Sequence, residues 1–230
     1  MANILNIDTS STFCSIALSQ DGETVFGIES SVEMDHSKSL AGFVEKALNK
    51  LEELNQKLDA VAVIYGPGSY TGLRIGLSLS KGLCYALDIP MIVISSLELM
   101  AVRAMFSLSD ILGEEIIVPM LDAGRMEVYT SIVDCSLNKI MDDQPLILDN
   151  DSFSFLKEKK RVIFVGEGSL KYRELYSFGN AYWAGALSPH AKYMAPLSEK
   201  LWRNSAFADT AYATPRYLKE YQATISKNKL

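Results

Sequence analysis

The stretch from Ala60 to Leu87 constrains this chain more than any other. An apolar strand, Ala60-Val61-Ala62-Val63-Ile64-Tyr65, runs into Gly66-Pro67-Gly68-Ser69-Tyr70-Thr71-Gly72-Leu73-Arg74 and then into a long helical pattern. Strand, glycine loop and helix start in that order bring backbone N–H groups and the positive dipole end together, a setting that suits an anion. The loop matches neither standard phosphate fingerprint: no Gly-Lys pair closes it, and Thr71 stands where a third glycine belongs. Two readings stay open. In one, the glycines only let the helix pack tightly on the sheet. In the other, Gly66, Gly68, Ser69, Thr71 and Gly72, with Asp8 at the end of the first strand, form a nucleotide or anion site. Arg74 in the first turn opposes the helix dipole by roughly 0.3–1 kcal/mol. It is therefore expected to answer an internal carboxylate, a partner's carboxylate or a phosphate.

The helix after Gly72 is unusually apolar. At about 100° per residue, Leu73, Ile75, Leu77, Leu79, Leu83 and Leu87 spread over roughly 200° of its surface, about twice what packing on one core requires. Gly72, Gly76 and Ser80 form a row of small residues within that arc, a pattern that lets another backbone approach. The helix is either sandwiched inside its own fold or half of a subunit interface, and the cost of exposing several leucines, roughly 1.5–3 kcal/mol each, favours the interface. Its companion is the amphipathic helix predicted over Ser37 to Leu51. The candidate interface is Leu40, Phe43, Val44, Ala47 and Leu51 with Leu73, Arg74, Gly76, Leu77, Ser80 and Leu83. A bulky Gly76→Leu is expected to abolish pairing and leave the monomer folded.

Around this pair the order is strand, strand, strand, helix, strand, helix. Ile4 to Ile7 ends at Asp8, Phe13 to Leu18 follows, and Asp21-Gly22 turns the chain into Glu23 to Glu29. Pro90 to Ile94 is a strand and Ser95-Ser96 caps a helix to about Met105. The second half reopens in the same way: Ile116 to Leu121 ends at Asp122, turns, and returns as Met126 to Val133. Strand, Asp, turn and strand thus occur twice, a faint internal repeat. The chain divides into an N-terminal lobe over residues 1–105 and a smaller one over 106–230, whose tail is a candidate to pack back on the first. Beyond the repeat, an amphipathic helix is expected over Asp151 to Lys160, a strand over Val162 to Val165 and a helix over Ser169 to Tyr176. A further helix should open at Ser188-Pro189 and be kinked or split by Pro196 near Met194, with an extended Thr214 to Leu218 after it.

Several chemistries are excluded. The net charge of −6 disfavours a surface that grips RNA unaided. Cys14, Cys84 and Cys135 are scattered, with no CxxC pair, which suits a reducing, cytoplasmic setting without disulfides or a zinc knuckle. No apolar run reaches membrane-spanning length. His36 and His190 are the only histidines, so neither HxxxH nor HExxH exists and no metal site is expected. Asp8 is either a turn cap or a carboxylate facing a metal or phosphate, and the strand ending at Tyr65 supplies no second acid for a two-metal nuclease.

Ile7-Asp8-Thr9-Ser10 with Cys14 to Leu18, and Gly66 to Gly76, closely resemble the bacterial TsaB (YeaZ) family. Asp122-Ala123-Gly124-Arg125-Met126-Glu127-Val128-Tyr129 is similar to that family's Asp-Ala-Arg-x-x-Glu-Val-Tyr segment, with Gly124 inserted or substituted. Pro215-Arg216-Tyr217-Leu218-Lys219 is similar to its Pro-x-Tyr-Leu-Arg tail. The resemblance covers essentially the whole chain. It implies an α/β, two-lobed actin-like ATPase fold (ASKHA, ribonuclease-H-like) with a βββαβα N-terminal lobe. It also implies a role in threonylcarbamoylation of the adenosine beside the anticodon in tRNAs reading codons that begin with A. In that role the family member is a noncatalytic scaffold. It dimerises with the TsaD-type transferase, which holds the metal through HxxxH, and a TsaE-type ATPase joins them. Alone it forms a homodimer, and it meets tRNA only through the complex. The family's contact between first helices maps to Ser37–Leu51 and Gly72–Leu87. No cofactor is expected to be required, ATP or ADP at a partner interface being the one candidate. No catalytic residue is assigned, so Asp8→Ala should affect modification only mildly. The rival readings are a stand-alone actin-like ATPase or kinase, a metallopeptidase-like protein and a freestanding homodimer.

Overall fold

β1 (Asn3–Asp8) is buried along its whole length because it has neighbours on both edges and helices on both faces. β2 (Ser15–Gln20) pairs with it antiparallel, with Ile7 opposite Ile16. The Asp21-Gly22 turn, with φ of 49° and 82°, returns the chain into β3 (Glu23–Glu29). α1 (His36–Glu53) crosses to the parallel β4 (Ala60–Gly66), α2 (Tyr70–Leu87) to β5 (Met91–Ser95), and α3 (Ser96–Ser107) closes the lobe. The computed structural model describes residues 2–31, 36–176 and 178–219.

Side-chain alternation sorts this sheet into two faces. Leu5, Ile7, Ile16, Leu18, Val61 and Val63 pack with Leu40, Val44, Leu51 and Leu77 of α1 and α2. The other face carries smaller residues, Ala17, Ala60 and Ala62, and meets Leu99 and Val102 of α3.

The second lobe repeats the topology. β6 (Ile116–Asp122), β7 (Glu127–Asp134) and β8 (Lys139–Ile147) form a meander, and β9 (Val162–Val165), α4 (Glu167–Tyr172) and β10 (Ala181–Trp183) follow. The strand orders are β3-β2-β1-β4-β5 and β8-β7-β6-β9-β10, the same arrangement twice. α3 lies between the lobes: Ala101 and Ala104 pack on Ile117, Val133, Ile163 and Val165 of the second sheet. α5 (Ala195–Arg203) returns to the first lobe, where Leu197 joins its core. Residues 208–216 stay there, with Ala208 bridging Met91 and the Arg216 N–H donating to the Tyr65 carbonyl at 2.7 Å.

Three sequence expectations are corrected. Residues Asp151 to Lys160 hold only the short 3₁₀ turn Ser154–Leu156. Asp149 captures the Asp151 N–H at 3.0 Å and the Ser152 hydroxyl at 2.7 Å, local bonds that compete with a helix. The place α1 fills in the first lobe is taken here by an aromatic cluster, Phe153, Phe164, Tyr172, Tyr176 and Trp183. The helix expected over Ser169 to Tyr176 starts earlier and ends earlier, as α4. No helix opens at Ser188-Pro189; Pro196 instead occupies the first turn of α5, where its missing N–H costs nothing. β8 was invisible in the sequence because an edge strand reading Lys-Ile-Met-Asp-Asp-Gln-Pro-Leu-Ile has no clean alternation.

Candidate functional site

Between the lobes lies a cleft of about 390 Å³, lined on one side by Ser10 to Phe13, Gly68 and Ser69, and on the other by Asp122, Tyr129 and Glu167. The β1–β2 turn, the glycine loop and the β6–β7 segment therefore converge, bringing together three stretches far apart in sequence.

The glycine loop is spent on internal joints. The Ser69 N–H donates to the Ser10 carbonyl at 2.8 Å, and the Ser69 hydroxyl accepts from the Gly72 N–H at 3.2 Å as the cap of α2. A Cβ on Gly68 would stand 2.5 Å from the Ser10 carbonyl oxygen, and one on Gly72 would fall onto the Thr9 carbonyl oxygen. Gly76 lies against the Thr9 side chain, whose hydroxyl donates to the Gly72 carbonyl at 2.7 Å. Gly66, at φ +128°, has the Arg216 carbonyl oxygen 2.6 Å from where its Cβ would be. Thr71 alone of the expected loop residues is exposed. The packing reading of these glycines is the one that their surroundings fit.

Asp8 is fully buried, and one carboxylate oxygen accepts from the Ser10 N–H at 2.9 Å and the Ser10 hydroxyl at 2.6 Å. Its other oxygen has no partner among the described groups. Burial pushes this carboxyl up from its ordinary value, against the opposing pull of the Ser10 bonds and of His36 and Arg103. The geometry is that of a turn cap. An acid whose folded-state pKa is raised binds more protons folded than unfolded, so its contribution falls as pH rises through that window. Asp8→Asn keeps an oxygen for Ser10 and removes the charge. Wild type is thus expected to lose stability relative to Asp8→Asn as pH rises from about 4 and to level off once Asp8 is ionised, read from urea midpoints of both proteins.

Nucleotide phosphates fit the cleft poorly. Its lining carries the carboxylates of Asp122 and Glu167 and neither lysine nor arginine. Of the cations close by, Lys171 is occupied by Asp122 and the Arg125 carbonyl, and Arg103 donates to the Ser188 carbonyl. Burial would raise Asp122, but Lys171 and the Gly124 N–H together hold its carboxyl below the usual range. Among the described residues no group of three or more His, Cys, Asp or Glu could hold a metal ion.

Within the chain, Arg74 is held by two tyrosines and pairs with no carboxylate among the described residues. Its Nε donates to the Tyr217 hydroxyl at 2.8 Å, its Nη2 donates to the Tyr70 hydroxyl, and Tyr70 and Tyr217 stack with centroids 4.8 Å apart. Of the three expected answers, the internal carboxylate is the one the fold does not supply among the described residues; the sequence had no means of bringing residue 217 to residue 74.

The expected interface residues divide sharply. Leu40, Val44, Ala47, Leu51, Leu73, Gly76, Leu77 and Ser80 are all buried in the chain's own fold, so they support the surface rather than form it. Leu73 and Leu77 enter opposite core clusters, and the Ser80 hydroxyl donates to the Gly76 carbonyl. Phe43 and Leu83 remain half-buried, and Arg74 is exposed. The buried arc of α2 runs from Gly72 to Leu77, roughly 140°. Exposed on α2 are Thr71, Arg74, Ser78, Gly82, Tyr85, Ala86 and Leu87, Tyr85 at 88 %, with Ile75 and Leu79 half-buried beside them. A Cβ on Gly82, or on Gly42 of α1, would meet nothing within 4 Å. Sequence reasoning missed both, although a glycine inside a helical pattern is itself a signal: it costs about 0.5–1 kcal/mol relative to Ala and asks for a reason.

The family model described as TsaD, tRNA N6-adenosine threonylcarbamoyltransferase, matches residues 29–227. A Bacillus subtilis protein named tRNA threonylcarbamoyladenosine biosynthesis protein TsaB is 31% identical over 226 residues, covering 96% of this chain and 95% of that protein. The Escherichia coli protein of the same name is 34% identical over 126 residues, 55% of this chain and 52% of that one. The solved structure of YeaZ from Pseudomonas aeruginosa superposes with a TM-score of 0.79 at 26% identity, over 95% of this chain and 100% of that one. A ROK family transcriptional regulator, with a TM-score of 0.50 at 8% identity over 87% and 78% of the chains, shares the fold alone.

Proposed function

The chain belongs to the TsaB (YeaZ) family, the TsaD-like proteins of tRNA threonylcarbamoyladenosine biosynthesis, and we propose that in this pathway it is a noncatalytic subunit that docks a TsaD-type transferase on the outer face of α1 and α2. The observation that carries this reading is Gly82. It interrupts an exposed helix face with a residue that the chain's own packing does not use, next to Tyr85, Ile75 and Leu79. A partner helix lying across that notch gives the glycine a purpose, since small residues let two helix backbones approach closely.

The cleft supports the noncatalytic half. Asp8 caps a turn, the glycine loop is packed against Thr9 and Ser10, and the opposite wall is acidic. ATP or ADP used by the assembly then belongs where this chain meets its transferase and a TsaE-type ATPase. tRNA is engaged through the complex.

Co-expression with the TsaD-type paralogue of the same genome, followed by intact-mass measurement and a tRNA modification assay, tests the reading. A one-to-one complex is expected, with modification requiring both proteins and surviving Asp8→Asn. Modification by this chain alone, or failure of the pair to form, would overturn it.

A further inference from the structure

The C-terminal segment 214–219 touches both lobes within six residues. On the first lobe, the Arg216 N–H donates to the Tyr65 carbonyl, its own carbonyl sits over Gly66, and Tyr217 lies on Tyr70 and accepts from Arg74. On the second lobe, the Arg216 guanidinium donates to Asp143 of β8 at 2.7 Å, and Lys219 pairs with Glu127 of β7. Asp143 is itself a junction. Its side chain is 1% exposed, and it also accepts from Ser95, at the end of β5, and from Lys139, both at 2.8 Å. A buried carboxylate holding one donor from each lobe and one from the tail is fully satisfied only when all three stay in register.

We propose that residues 214–219 are a clasp that fixes the separation of the two lobes, with Arg216–Asp143 as its catch and Gly66 as its seat. Gly66 has no side chain because the Arg216 carbonyl occupies that space. The first glycine of the loop thus serves the tail. An actin-like fold clasped in this way keeps α2 at a fixed position relative to β7 and β8, a rigid scaffold rather than a pair of lobes that open and close.

Spin labels at exposed Glu45 and Asn150, in the full chain with Cys135→Ser, report the separation directly. One narrow distance distribution is expected, broadening toward longer distances in Arg216→Ala, with amide exchange across 139–147 faster by roughly tenfold or more. Arg216→Ala leaves Asp143 paired with Lys139 and Ser95, and Asp143→Asn, which keeps an acceptor for Ser95, provides the second variant. Distributions as narrow as wild type in both variants, whatever their melting temperatures, would overturn the clasp.

Discussion

Gly76→Leu is expected to destabilise the fold rather than to spare it. Gly76 faces the Thr9 side chain, which is fully buried and anchors the glycine loop through its bond to the Gly72 carbonyl. A leucine there needs space that the Thr9 hydroxyl already fills. Overpacking a core typically costs about 1–3 kcal/mol, and here the displaced Thr9 also loses its buried hydrogen bond, worth about 1 kcal/mol more. Against a domain stability of about 5–15 kcal/mol, a loss of about 2–4 kcal/mol should lower the urea midpoint measurably, by about a seventh in a stable domain and by most of its value in a marginal one. A variant with the wild-type midpoint that fails only to pair would restore Gly76 to the surface.

Gly82→Trp is expected to do the reverse. Nothing in the chain lies within 4 Å of a Cβ at this position, so the indole projects into solvent. Tryptophan is a better helix residue than glycine by a few tenths of a kcal/mol, so the melting temperature should hold or rise slightly. The same indole stands where a partner helix must lie. A central steric block, taken at the size of a hot-spot loss, costs an interface about 2 kcal/mol or more, so pairing should weaken by about 30-fold or more. The two glycines lie six residues apart on one helix, and their environments assign them opposite roles.

That contrast shows how far the sequence could be read. The order of elements along the first lobe, the helix pair α1 and α2 and the internal repeat were legible because β1, β4, α1 and α2 carry strong apolar periodicity. The glycine motif was visible, but what each glycine faces depends on Thr9, Ser10 and Arg216, residues set by tertiary packing. An apolar arc on α2 likewise does not say how much of it the chain covers: Leu73 and Leu77 proved to be core, leaving Gly82 and Tyr85 outside. Arg74's tyrosine partners were hidden for the same reason, since Tyr217 reaches it only after the chain has returned to the first lobe. Asp143 gave no signal, because a polar edge strand hides a buried carboxylate that becomes meaningful only beside Ser95 and Arg216.

The most direct test is a titration of wild type and Gly82→Trp with the purified TsaD-type paralogue, read by calorimetry. An outward α1/α2 face that docks the transferase predicts a saturable one-to-one wild-type isotherm and affinity weaker by about 30-fold or more in the variant, which corresponds to the 2 kcal/mol above. Equal affinity in the two proteins, at equal stability, would place the contact elsewhere and contradict the account.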